Sequence, residues 1–515
     1  MRSPKFVAAG AVATVLLVSA CSGGGSSGDS GDTDSSTIEL FASVATPVAG
    51  PPGEDYFWKK LVKDATGVDV KLNFVTEGSQ YTPKLQARAA ANDLPDLYYS
   101  DATTQSQLSS QGLAGDWTPL LDKMPTWVKE HEVDRFKPVG TFDGKLTGLT
   151  GRTGYPYKPV VVIRKDWLQK LNLSEPKTLD QYFEVMKAFT ERDPDGNGKK
   201  DTYGWTGAIK ADGSLFGFDP IFGAFDALGL WQQSGDSVEF VGTSDKYRDA
   251  LAFIDKMNKA GVIDPDWKAQ KPEDTAIKYQ SGKVGLMQND WCAALCAGNY
   301  SLFIKGNPKG VVEILDPPTG PGGASGSGTY SAAGMMLGIS QQAIDAGKGE
   351  NIAKVLEWMA GPGYIPTVFG EEGKTKGHVK EAGGQIRLNN ANTDYASNLQ
   401  LVAVGIKGTT EELKSRYGGA STTQGDGSSW SANEWLDTMS KYPKKDVTSF
   451  SALPPPPVES GADLTRVINE GAFKFASGTQ PLSGWGDYVA SVKKTGLDAW
   501  TQNAQSRLKE VGAVR

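Results

Sequence analysis

Between Thr37 and Ser100 the chain alternates two hydrophobic periods, and this alternation restricts the fold more than any other feature. IELFASV, residues 38–44, reads as a strand. From Asp55 to Thr66, the residues Phe57, Leu61 and Ala65 recur on one helical face, and Gly67 is placed to stop the helix. Val68, Val70, Leu72 and Phe74 then alternate with Asp69, Lys71 and Asn73, the pattern of a half-buried strand. A helix around 83–91 follows, and DLYYS, 96–100, reads as a further strand that ends in a polar loop. Strand, helix, strand, helix, strand is the order of an α/β lobe with a largely parallel sheet.

One such lobe does not account for 515 residues, because a single core stops growing well before that length. Glycines, tyrosines and prolines crowd Gly148 to Pro159, which argues against a regular element there and for a crossing between lobes. Val160 to Ile163 is a buried-strand run. Helical stretches follow at 165–171, 179–190 and 247–259, the last carrying Tyr247, Leu251, Ile254 and Met257 before Gly261. DPPTGPGGASGSGTYS, 316–331, is too rich in Gly and Pro for regular structure and reads as a second crossing. GMMLGIS is expected as a strand and 352–360 as a helix. The stretch 415–430 carries no clear pattern. PPPP, 454–457, is a stiff extended segment, and helices at 463–476 and 485–511 close the chain. Trp58, Trp167 and Trp358 fall within helical patterns and are expected to pack.

The start of the chain constrains location. Arg2 and Lys5 precede the apolar run Val7 to Cys21, and no acidic residue appears before Asp29, as in a secretory signal too short to span a bilayer comfortably. Val18-Ser19-Ala20-Cys21 resembles the lipobox of bacterial lipoproteins, in which the signal (here 1–20) is cut before a cysteine that carries diacylglycerol. Cys21 is thus the expected lipid attachment. Residues 22–36 contain no apolar side chain and read as a flexible leash reaching about 20 Å.

Without Arg2 and Lys5 the chain holds 51 basic against 60 acidic side chains, a net charge of −9. No basic run with interleaved aromatics argues for nucleic acid. His131 and His378 are the two histidines, and neither has a ligand-type neighbour at metal spacing, so a zinc site or a histidine triad is poorly supported. Cys292 and Cys296 remain after Cys21, and in an oxidising compartment an even remainder favours a local, structural disulfide.

DPDGNGKKDTYG, 193–204, is the sharpest local motif. Asp193, Asp195 and Asn197 supply oxygens at positions 1, 3 and 5, Gly198 stands at 6, the Lys199 carbonyl at 7 and Asp201 at 9. That is the first half of an EF-hand calcium loop, in which alternate oxygens wrap a hard cation. Position 12 departs from the pattern, being Gly204 instead of the bidentate glutamate. Weak, structural Ca2+ binding is expected, against the alternative of a plain Asp/Asn/Gly turn.

Four stretches, taken in order, resemble the extracellular solute-binding proteins of ABC sugar importers, which include maltose- and alginate-binding proteins. They are LPDLYYSDATTQSQLSSQGLAGDWTPLLDK, VVVIRKDWLQKLNLSEPKTLDQYFEVMKAF, IKYQSGKVGLMQNDW and VLEWMAGPGYIPTVFGEEGK. The resemblance implies a type II periplasmic-binding-protein-like α/β fold with two lobes and three crossings. Lobe one would be 37–157 with 316–385, and lobe two 158–315 with 386–515. The alginate-binding branch has a similar loop with an acidic residue after position 9; this chain has Thr202 there, which, or a water in its place, is expected to complete the oxygen set begun by Asp193, Asp195, Asn197, Lys199 and Asp201. Trp291 matches the family's cleft tryptophan. Ser100, Asp101 and Thr103 follow the DLYYS strand at the edge facing the cleft. Ser43 follows the first strand, Tyr155 and Tyr157 lie in the first crossing, and Trp231 follows an unstructured stretch. These are the candidate ligand contacts, since sugars stack on aromatic rings and bond polar side chains.

The reading is a lipid-anchored monomer on the outer face of the membrane that captures a carbohydrate, expected to be an oligosaccharide, by lobe closure and presents it to an ABC permease. It performs no catalysis. The alternatives are the same fold with a peptide or other solute, and a lipoprotein glycosidase using two carboxylates.

Overall fold

The computed structural model describes residues 35–43, 55–75, 80–150, 159–290, 297–328, 335–373, 378–380, 386–388, 412, 414–415, 421–441, 444–445 and 460–510. Cys21, Tyr155, Tyr157, Trp291, Cys292, Cys296 and the PPPP run lie outside them.

The opening alternation forms β1 (Thr37–Ser43), α1 (Phe57–Thr66), β2 (Asp69–Val75), α2 (Tyr81–Ala90) and β3 (Leu97–Ser100). α1 stops at Gly67, which is left-handed at φ 76° and donates its N–H to the Lys63 carbonyl. Its buried face is offset by one residue from the expected one. Trp58 and Val62 enter the core, while Leu61 is 36% exposed. The wider indole outcompetes the phenylalanine-led stripe for the available depth.

α3 (Ala102–Ser110) and α4 (Val133–Gly140) lead to β4 (Gly148–Thr150). β4 corrects the expectation that Gly148 to Pro159 holds no regular element. A Cβ on Gly148 would stand 2.9 Å from Met336 Sδ and 3.3 Å from Gln105 Cγ, so glycine here permits close strand and helix approach instead of breaking the strand.

The chain continues through β5 (Val160–Arg164), α5 (Leu179–Glu191), β6 (Tyr203–Thr206), α6 (Asp245–Lys259), α7 (Pro272–Gln280), β7 (Val284–Asn289) and β8 (Val312–Leu315). α5 begins in a capping box between Thr178 and Gln181, and Ser244 caps α6. β9 (Met336–Ile339) and α8 (Gly349–Ala360) follow. α9 (Ala432–Lys441), α10 (Gly461–Ala476), α11 (Trp485–Val492) and α12 (Asp498–Glu510) complete the labelled elements. The expected single helix over 485–511 is interrupted at Gly496, whose φ is 127°.

Two sheets organise these elements into a two-lobe α/β fold. The first has the order β2-β1-β3-β9-β4, with β1 parallel to β2 and β3, and β9 antiparallel to β3 and β4. The second runs β8-β5-β7-β6, with β5 antiparallel to both neighbours and β7 parallel to β6. Each carries its own core. Leu40, Trp58, Tyr98, Trp127, Leu337 and Leu356 pack on the first, so β9 and α8 belong with it despite their distance along the chain. Ile163, Trp167, Phe189, Trp205, Ile254 and Leu286 pack on the second, joined by Leu464, Phe475, Trp500 and Leu508 of the C-terminal helices.

Residues 316–328 differ from the expected assignment to lobe one. Thr319 bridges Thr178, the Tyr182 hydroxyl donates to the Asp316 carbonyl, and Gly320 lies against the Ala224 backbone with no room for a Cβ. The glycines let this segment run flat against elements of the second core, and its described contacts hold it there.

Candidate functional site

Strand register shows which edges can build a site. β1 and β3 are parallel neighbours, so Ser43 and Ser100 end at the same edge of the first sheet. Met336 pairs with both Ser100 and Thr150, which brings the last residue of β4 and the first of β9 to that edge as well. In the second sheet, Val160 pairs with Asn289, and Val161 with Leu315. Nine residues separate Thr150 from Val160, so the chain holds the two edges within about 35 Å of each other.

The expected contacts on the first edge divide by role. Ser43 is fully buried at the end of β1. Ser100 donates its hydroxyl to Gln105 Oε1 at 2.5 Å, and Gln105 Nε2 donates to the Thr147 carbonyl at 2.7 Å, a relay that fixes α3 against the sheet. Asp101 caps α3 by accepting the Thr104 N–H at 2.7 Å. Thr103 stands exposed in the first turn of α3.

Thr103, Ser106 and Gln107 form one wall of a cavity of about 810 Å³. The facing wall comes from the second core's side: Ile209, the turn Ala211–Gly213, Lys268, and the face of α10 bearing Ala462, Arg466, Asn469 and Phe473. Asn469 Nδ2 donates to the Asp212 carbonyl at 2.8 Å and so fixes the turn to the helix. Arg466 pairs with Asp463 at 3.2 Å and Glu470 at 3.4 Å, leaving a lining of mixed sign. Beyond the cavity, Arg507 of α12 donates to the Pro138 carbonyl at 2.6 Å and the Thr141 carbonyl at 2.7 Å, which bonds the two lobes directly.

Sequence reasoning reached Thr103 but not α10 or the 209–213 turn. The polar stripe of α10 sits opposite its buried Leu464, Ala472 and Phe475, and a polar stripe opposite a core face ordinarily means solvent. Trp231 corrects an expected contact. It is buried in the second core, 5.0 Å from Trp500 and 5.5 Å from Phe240 between ring centroids, because the antiparallel pairing of Trp231–Ser234 with Ser237–Phe240 turns its ring inward.

At the second edge, Gln270 Nε2 donates to Thr206 Oγ1 at 2.8 Å and to the Gly207 carbonyl at 2.5 Å, and Asn289 Nδ2 donates to Thr275 Oγ1 at 2.8 Å. The Asn289 side chain is held by the last of these and accepts the Asp290 N–H on Oδ1 at 2.7 Å, fixing the two residues that immediately precede position 291.

The loop at 193–201 winds as a calcium loop begins. Asp193 Oδ1 accepts the N–H of Gly196 at 3.0 Å and of Asn197 at 3.1 Å, and Oδ2 accepts that of Gly198 at 3.0 Å. Asn197 Nδ2 donates to Asp195 Oδ2 at 2.7 Å and to Asp201 Oδ1 at 3.0 Å, which draws the side chains at positions 3, 5 and 9 together. The bond between the Asp193 and Asp195 carboxyls and three backbone N–H groups hold Asp193 below the usual carboxylate range. Burial and the same bond push Asp195 up. Hydrogen bonds from Lys283 and Asn197 hold Asp201 low. Crowded carboxyls of this kind suit a cation, and the side-chain oxygens of 193, 195, 197 and 201 with the Lys199 carbonyl fit a hard ion at a site lacking one carboxylate.

Thr202 does not join that set through its hydroxyl, correcting an expectation: it is buried and donates to the Phe189 carbonyl at 2.8 Å, closing the end of α5. Among the described residues, no three His, Cys, Asp or Glu side chains stand ready as a metal group, since the Asn197 amide occupies the centre and Lys283 holds Asp201.

The profile of the bacterial extracellular solute-binding protein family matches residues 49–365. The chain belongs to that family. It is 30% identical over 240 residues to the polygalacturonan/rhamnogalacturonan-binding protein YtcQ of Bacillus subtilis, a match covering 44% of this chain and 45% of YtcQ, so under half of that relative is spanned. It is 23% identical over 503 residues to the fructooligosaccharide ABC transporter substrate-binding protein FusA of Streptococcus pneumoniae, covering 89% of this chain and 87% of FusA. FusA solved with kestose superposes with a TM-score of 0.67 at 19% identity, covering 93% of this chain and 99% of that one. Alginate-binding protein AlgQ2, solved without calcium ion, gives 0.64 at 19% identity, with 93% and 99% covered. The fold is therefore the two-lobe periplasmic-binding-protein fold.

Proposed function

We propose that the chain is the substrate-binding receptor of an ABC importer and captures an oligosaccharide between its lobes. The observation that carries this reading is the cavity of about 810 Å³ between α3 and the α10 face, within a member of a solute-binding family. Its size lies in the upper part of the range for small-molecule sites, and its hydroxyls, amides and one phenylalanine ring match the mixed character of a sugar. Relatives named for polygalacturonan, rhamnogalacturonan and fructooligosaccharide binding support the ligand class. Closure of the lobes around the sugar creates the shape a permease recognises, and catalysis plays no part.

Trp291, Tyr155 and Tyr157 supply stacking faces in this reading, Asp101 and Thr103 polar contacts, and Ser43 and Ser100 the frame behind them. The chain crosses between lobes three times. Cys21 carries the lipid that holds the receptor at the outer membrane face, and Cys292 and Cys296 are bridged. Calcium occupies the 193–201 loop, held by Asp193, Asp195, Asn197 and Asp201 side chains and the Lys199 carbonyl, and ties the end of α5 to the start of β6 without touching the ligand.

Melting curves across panels of oligosaccharides and peptides test the ligand class, because a ligand that binds only the folded state raises Tm. At least one oligosaccharide should raise it and no peptide should. The reverse result would overturn the proposal, as would hydrolysis of the stabilising sugar.

A further inference from the structure

The 193–201 loop meets two ammonium groups from its own chain. Lys283 stands in the turn just before β7 and bonds Asp201 Oδ2 through Nζ. Its main chain is fixed there, since the Lys283 carbonyl accepts the N–H of Tyr203, the first residue of β6, at 2.9 Å. Lys170 brings Nζ to 3.3 Å from the Asp193 carbonyl, so close to Gly196 that a Cβ there would stand 2.5 Å from the nitrogen. The usual closing ligand is also sterically shut out. Gly204 packs so tightly on the Met186 backbone that it leaves no room for a Cβ, and a glutamate at position 12 cannot be accommodated.

Asp201 is thus the last carboxylate the loop can offer a cation, and a lysine holds it. We propose that Lys283 is an internal competitor for calcium, which must displace the Lys283 ammonium from Asp201 to complete its oxygen shell. The inference rests on the calcium reading above. Three features favour this over an ordinary surface pair. The ammonium is bonded to the oxygen set the ion needs, the side chain is partly exposed and can swing into water, and the β6–β7 pairing keeps its stem beside the loop in either state. Without calcium, the lysine supplies the positive charge that keeps the carboxylates together. With calcium, a divalent ion that takes six to eight oxygens replaces a monovalent donor that takes one. The lysine therefore makes the loop tolerant of calcium loss and keeps its affinity weak.

Calcium titration calorimetry and melting curves on the mature protein test this with Lys283→Met, Lys283→Gln and Lys283→Arg. Removing the charge should tighten calcium binding about tenfold, through loss of the competing pair and of cation–cation repulsion. Lys283→Met should also melt below wild type without calcium and recover with it, while Lys283→Arg stays close to wild type. Lys283→Gln keeps a polar head on an exposed stem and gives the same reading should the methionine variant fold poorly. Equal or weaker affinity in the neutral variants, with wild type binding calcium, overturns the role of Lys283 and leaves the calcium reading standing. Binding in the variants but not in wild type supports the competitor and overturns occupancy of the natural loop. Folded proteins that bind no calcium in any form overturn both.

Discussion

Glu39 of β1 receives two nitrogens of Arg88 from α2, at 2.7 and 3.0 Å, and the Asn73 amide at 3.0 Å. Burial pushes its carboxyl up, but the Arg88 and Asn73 hydrogen bonds and the Arg88 charge outweigh that, and the net shift is below its ordinary 4.5. A carboxylate held low in the folded state contributes stability that is fully present above the unfolded value and is lost as pH falls through the folded one. Glu39→Gln should therefore flatten the stability–pH curve below about pH 5, measured by urea unfolding; an unchanged slope would contradict the pair's role. At Trp231, truncation to Ala should cost about 3–5 kcal/mol, as for other buried aromatics, with ligand affinity of the folded fraction unchanged. A large affinity loss at preserved stability would restore it to the cleft. Single side chains were the least legible part of this sequence. Trp231 follows a stretch with no regular pattern and was placed by a partner distant in the chain, Trp500, whereas Leu61 fits the helical stripe but lies beside the face of α1 that buries Trp58 and Val62.

Elements were legible where their signals are local. The Gly67 stop of α1, the alternation in β2 and the helical period of α6 depend on neighbours a few residues away. β4 was not legible, because its hydrogen bonds run to β9 nearly two hundred positions later, and its glycine composition suggests a loop. The calcium-type loop was legible through position 9 and then failed, as the fate of Thr202 and Gly204 depends on how β6 packs against α5. Gly204 gives a test at this scale. Gly204→Ala must push Met186 or the strand aside, so a loss of about 1–3 kcal/mol is expected, seen as a lowered Tm with or without calcium. An alanine variant that melts with wild type would mean the helix–strand contact is looser than described.

For the whole molecule, two separate sheets and cores follow from the alternating pattern at 37–100 and the length of the chain, and both were legible. The side on which 316–328 lies was not, because glycine-rich segments carry no hydrophobic period to assign them. In the proposed reading, tether and receptor are separable at this scale. Cys21→Ala should release or mislocalise the protein, as shown by fractionation, while the affinity of the purified chain stays the same; a loss of intrinsic affinity would show that the amino-terminal segment does more than anchor. The Arg507 bond to Pro138 and Thr141 joins the lobes outside the cavity across which α3 and α10 face each other. The central claim is that two lobes close on an oligosaccharide. Small-angle X-ray scattering of the mature protein with and without a saturating oligosaccharide that raises its Tm tests this most directly: the radius of gyration should fall on binding, whereas an unchanged value at saturation would contradict capture by closure.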